Sequence, residues 1–191
     1  MDLYPLKINV KELFHPKKAP QQFVDEVSAL ALRLSNNPKE KRHIDKIVTS
    51  TILGFAAEEA FVKRFPQFVR KRGEFYDYDV SSLTEMKGTR IEIKNDLTSV
   101  KWWIPKNYGN FYRAASQGKV DYICNMLVEE DGKAQIRAIA NARSYERYVN
   151  KGPYNTYYNQ FHAEKDGECW LGADAVEKIK SIIKEFSWKS F

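Results

Sequence analysis

At 191 residues with 43% apolar content, the chain is long enough for one domain with a proper hydrophobic core. Its net charge of +6 is unevenly spread: residues 1–72 hold 14 Lys/Arg against 8 Asp/Glu, and residues 73–191 hold 17 of each. No run approaches the roughly 18 to 20 apolar residues of a membrane span, and MDLYPLKINVKELF lacks the charged-then-apolar pattern of a signal peptide, so a cytoplasmic protein without a membrane partner is expected.

Cys124 and Cys169 lie far apart, the first inside an apolar run, and fit buried free thiols better than a disulfide. His15, His43 and His162 show no ligand spacing, which argues against zinc. The basic amino-terminal part suits a polyanionic partner, although the same lysines also serve solubility. There is no Walker A loop, no GxGxxG, no Gly-x-Ser-x-Gly elbow and no Cys/His cluster.

Residues 3–14 mix apolar and basic side chains without a clean period. From Pro20 to Ser35, Phe23, Val27, Leu30 and Leu34 recur at helical spacing, with Asp25 and Glu26 near the positive end of the helix dipole. Asn36, Asn37 and Pro38 end it. A longer helix is predicted from Pro38 to Phe65, with Ile44, Val48, Thr51, Phe55, Val62 and Phe65 on one stripe. Glu58 falls on that stripe, where a charge is costly unless paired or bound to a cation; Glu59, one step round the helix, is the alternative. Gly54 costs about 1 kcal/mol relative to alanine in a helix interior, which points to close backbone packing on a sheet.

After the basic cluster Arg70, Lys71 and Arg72, the segment YDYDVSSLTEMKGTRIEIKN reads as two strands and a turn. Tyr76, Tyr78 and Val80 alternate with Asp77 and Asp79, and Ile91 and Ile93 alternate with Arg90, Glu92 and Lys94. Side chains in a strand repeat every two residues, so Glu92 and Lys94 share a face while the isoleucines enter a core. If the strands pair across Ser81 to Thr89, Asp79 lies beside Glu92, with Asp77 as the fallback on the same face. Adjacent carboxylates repel, and a divalent cation relieves the repulsion. Oxygen ligands favour a hard ion such as Mg²⁺, for which Mn²⁺ substitutes. An exposed hairpin with a solvated charged face fits the same period.

At these residues the chain resembles the PD-(D/E)XK nuclease superfamily, whose hallmark is an acid on one strand followed by Glu/Asp-x-Lys on the next. The match is Asp79, then Glu92-Ile93-Lys94, with Tyr78 where the family name has proline, and GFAAEEAF supplies the small residue and helix glutamate that many members carry. It spans residues 44 to 125, and the rest more loosely. The resemblance implies a restriction-endonuclease-like α/β fold with a central mixed sheet flanked by helices. It implies Asp79, Glu92, the Ile93 carbonyl and Glu58 as metal ligands, and Lys94, Glu92, Asp79 and Glu58 as the catalytic set. The activity it implies is Mg²⁺-dependent hydrolysis of nucleic-acid phosphodiesters, a DNA endonuclease before an exonuclease. The alternative is a nucleic-acid-binding or assembly module of the same fold that does no hydrolysis.

Further on, Lys101, Trp102, Trp103, Lys106, Arg113 and Lys119 mark a stretch dense in aromatics and cations that, with Arg70, Lys71 and Arg72, is a candidate nucleic-acid groove. Residues 107–118 are predicted as a helix, and Val120 to Val128 as a central strand covered on both faces. Glu129 to Lys133 reads as a turn, Ala134 to Ala140 as the return strand and Asn141 to Val149 as a helix. A long tyrosine-rich loop containing His162 precedes a short edge strand at Cys169 to Leu171 and a closing helix from Asp174 to Phe186. The expected organisation is one domain over 1–191, with a helical elaboration in 1–40 and the catalytic core in 41–191. A two-fold dimer would give double-strand cleavage most simply.

Overall fold

A computed structural model describes residues 6–7, 21–38, 41–71, 80–82, 88–96, 109–128, 133–143 and 168–188. The elements in chain order are β1 (Leu6–Lys7), α1 (Gln21–Ser35), α2 (Ile44–Arg64), β2 (Phe68–Arg70), β3 (Val80–Ser82), β4 (Arg90–Asp96), α3 (Gly109–Ser116), β5 (Tyr122–Val128), β6 (Lys133–Asn141), β7 (Cys169–Leu171) and α4 (Gly172–Trp188). Among the described residues seven strands form one mixed sheet in the order β1-β6-β5-β4-β3-β2, with β7 also on β6. β1 pairs with the start of β6 and β7 with its end. The β4/β5 pair is parallel and the others are antiparallel, so β4 and β5 need a crossover, which contains α3. The architecture is α/β, a mixed sheet flanked by helices. Among the described residues no helix is long and apolar enough to cross a membrane.

Alternation places Ile91 and Ile93 in the core, as the sequence predicts. They pack with Cys124, Met126, Val128, Ile136 and Ile139 of the neighbouring strands, with Leu53, Ala56, Ala57, Ala60 and Phe61 of α2, and with Val176, Ile179 and Ile182 of α4. Residues 123–128 of β5 are all buried, which is why this strand reads as a continuous apolar run. β6 returns beside it. The α4 helix starts at Gly172, directly after β7, and Gly172 takes φ 52 at that junction, a value that favours glycine.

Several boundaries differ from expectation. The α2 helix begins at Ile44 rather than Pro38, because His43 is extended and caps it, its Nδ1 accepting from Asp45 N at 3.4 Å. Its predicted stripe also divides. Ile44 is 41% exposed, whereas Val48, Ile52 and Phe55 pack on Val27 of α1 and a separate row, Leu53, Ala56, Ala57, Ala60 and Phe61, meets the sheet. A helix covered on two sides needs two stripes, and a single period cannot separate them. Gly54 is not the point of close approach, since a Cβ there would meet nothing within 4 Å; the fully buried Ala56, Ala57 and Ala60 serve that purpose. β3 runs to Ser82, into the predicted turn, and Ser82 N donates to Thr89 O at 3.0 Å. Asn141 closes β6 instead of opening a helix, and only Ala142 and Arg143 of the predicted helix are described. The tyrosine-rich loop with His162 lies outside the described residues.

Candidate active site

The route to the site begins where α2 ends. Phe65 N donates to Phe61 O at 2.9 Å, the chain reverses, and Phe68 of β2 lays its ring edge-on to Phe61 with centroids 5.3 Å apart. Two strand residues beyond Phe68, Arg70 comes level with the preceding turn of α2. There its Nε donates to Glu58 Oε2, its Nη1 lies 3.3 Å from Glu59 Oε1 and 3.0 Å from Glu26 Oε2 of α1, and its guanidinium stacks 4.1 Å from the Phe55 ring centroid. The Arg70 side chain is 6% exposed. Arg70 belongs to the candidate phosphate-contacting cluster of the sequence; in the structure its guanidinium is engaged by three carboxylates.

Glu58 is 8% exposed, while Glu59 is only half buried. Burial pushes the Glu58 carboxyl up to about 7; Arg70 opposes this by charge and hydrogen bond, Glu92 raises it further and Lys94 lowers it. Glu58 is therefore within electrostatic reach of the Glu92–Lys94 pair, 34 and 36 residues further along the chain. Burial lowers the pKa of Arg70, but Glu58, Glu26 and Glu59 together hold it above its ordinary value.

On β4 the Lys94 ammonium contacts Glu92 Oε1, both side chains being largely buried, and they share the face opposite Ile91 and Ile93. Among the described residues β3 pairs with β4 only at Arg90 and Ile91; Glu92 and Lys94 lie just past that point. Asp79 and Asp77 lie outside the described residues, and so do Arg72, Lys101, Trp102, Trp103 and Lys106. Val80, the chain neighbour of Asp79, pairs with Ile91, the neighbour of Glu92. Lys71 is partly buried, and Arg113 and Lys119 are exposed at the end of α3 and just after it.

Two further polar groups were not singled out from the sequence. Asn125 of β5 is the register partner of Lys94 across the parallel ladder, and its amide nitrogen and oxygen are buried with no protein hydrogen-bond partner. Leaving such a group unsatisfied costs about 1–3 kcal/mol. Its signal was a lone asparagine inside YICNMLV. Asp121 holds the start of the parallel pair: its carboxylate accepts from Arg90 N at 2.8 Å and from Arg90 Nε and Nη2 at 3.1 Å each, while Nη2 also donates to Gly118 O at 2.6 Å. Gly118 takes φ 67 in the turn after α3.

Among the described residues no group of three or more His, Cys, Asp or Glu side chains is gathered to hold a metal ion. The donor set nevertheless fits a hard cation in kind: Glu58 and Glu92 are oxygen donors, and the Glu92 charge opposes ionisation of Glu58. No family model, no curated protein and no solved structure matches the chain.

Proposed function

We propose that this chain is a Mg²⁺-dependent nuclease of restriction-endonuclease-like fold, acting on DNA as an endonuclease, with a single domain over 1–191. One observation carries the reading: the glutamate of α2 and the Glu92–Lys94 pair of β4, far apart in sequence, come within electrostatic reach of one another. That is the helix-then-strand order in which the resemblance places its acids and lysine. Asp79, Glu92, the Ile93 carbonyl and Glu58 would hold the metal. When bound, it would polarise the phosphodiester and lower the pKa of a coordinated water.

The chain's own residues do the rest. Lys94, steadied by Glu92, presents an ammonium that offsets negative charge developing on the phosphoryl oxygens and orients the attacking water. Arg70 keeps Glu58 ionisable in a site that would otherwise hold it neutral. Arg113 and Lys119, both exposed, are phosphate contacts away from the reacting centre.

A second reading, a nucleic-acid-binding or assembly module without hydrolysis, draws on the same Arg70, whose guanidinium already satisfies Glu58. Incubation of supercoiled plasmid with Mg²⁺, Mn²⁺ or EDTA separates the two. Metal-dependent nicking that Lys94→Ala and Asp79→Asn abolish while DNA binding persists supports the nuclease. Salt-sensitive binding indifferent to Mg²⁺ and to Lys94→Ala moves the reading to the binding module.

A further inference from the structure

Asn125 sits among aliphatic neighbours, between Cys124 and Met126 in the chain and beside Ala138 on β6. It is 1% exposed, and neither polar atom of its side chain meets a protein partner. Buried amides in folded proteins are nearly always satisfied, by protein or by ordered water. The next asparagine across the ladder behaves in the usual way, Asn95 Oδ1 accepting from Val128 N at 3.2 Å. What distinguishes Asn125 is its other neighbour. In the β4/β5 register it stands opposite Lys94, and paired residues of a ladder point their side chains to the same face. The β5/β6 register also shifts between Asn125 and Met126, an irregularity of the kind that re-aims an adjacent side chain.

The geometry points to Asn125 as a positioning residue for Lys94, its amide holding an ordered water whose other hydrogen bond comes from the Lys94 ammonium. The bonding is complete on chemical grounds. Lys94 has three N–H donors, of which Glu92 takes one; a second reaches the water, which in turn donates to Asn125 Oδ1. A buried water is stable with two to four such partners. Glu92 then steadies the lysine from its own strand and Asn125 from the next. The catalytic consequence rests on the nuclease reading above; the water does not.

Two measurements test this. In metal-free wild-type protein with ¹⁵N-labelled asparagine, the Asn125 side-chain amide protons should show NMR cross-peaks to a bound water and to the Lys94 ε-methylene. Absence of either cross-peak overturns the inference. In plasmid cleavage, Asn125→Leu should lower kcat by about 10- to 100-fold with KM unchanged. Asn125→Asp, which keeps an acceptor oxygen in the same place, should recover part of that loss. Wild-type kcat in Asn125→Leu, when the wild-type protein cuts, overturns the inference and leaves the nuclease reading standing. If the wild-type protein cuts nothing, the nuclease reading fails and the NMR result alone decides on the water.

Discussion

Two arginines on strands of one sheet meet acids in opposite circumstances. Arg90 at the start of β4 meets the Asp121 carboxylate and also donates to the Gly118 carbonyl; the side chains of that ion pair are 31% and 37% exposed. Arg70 on β2 is 6% exposed and faces three carboxylates, from α1 and from two adjacent positions of α2, under an aromatic ring. The first arrangement ties β4 to the start of β5. The second gathers three carboxylates on one buried guanidinium, with the Glu92–Lys94 pair within electrostatic reach of Glu58. The two arrangements therefore differ in stoichiometry and burial, although both use arginine and carboxylate.

The comparison can be broken at several points. The largest effect is expected for Lys94→Ala, which should reduce Mg²⁺-dependent cleavage by at least about 100-fold with little change in DNA affinity, measured by plasmid nicking beside a binding titration. Next comes Arg70→Ala, which strands Glu58 without its partner and should cost roughly 3–5 kcal/mol in urea unfolding at pH 8. The loss should shrink at pH 5, where Glu58 is neutral. An equal loss at both pH values would mean that Arg70 acts through packing on Phe55 and not through charge.

Glu58 supplies the matching pH test. Its folded pKa of about 7 lies above the ordinary 4.5, so between these values the folded chain holds a proton that the unfolded chain has released. Its contribution to stability is therefore present below about pH 4.5, is lost as pH rises to about 7, and stays lost above. The span corresponds to roughly 3 kcal/mol. Glu58→Gln should flatten that slope in metal-free protein, read from unfolding midpoints across the range, and an unchanged slope would assign the titration elsewhere.

Asp121→Ala removes the Arg90–Asp121 ion pair and should cost about 1–3 kcal/mol, with no dependence on Glu58 in a double variant. The smallest effect expected is a gain: Gly54→Ala has room for its methyl and should stabilise α2 by up to about 1 kcal/mol in thermal unfolding.

Much of this molecule was legible in the sequence. Strict alternation found β4, with Ile91 and Ile93 inward and Glu92 and Lys94 on the other face. Continuous apolarity found β5, and helical spacing found α1 and α4, because each pattern is a local record of which side of the backbone meets water. Helical spacing also marked Glu58 as a charge amid an apolar stripe, and the resemblance pointed separately to the same residue. The structure decided what no local period records. It divided α2 between α1 and the sheet, and it turned Arg70 from the solvent toward Glu58, Glu59 and Glu26, because a buried carboxylate must be paired and the nearest cation after the turn is Arg70. It also set Asn125 beside Lys94, since that neighbour is chosen by the register of a parallel ladder joined through a long crossover. Alternation assigns a residue to a face; only the pairing of strands and the packing of helices select which residues across that face it meets.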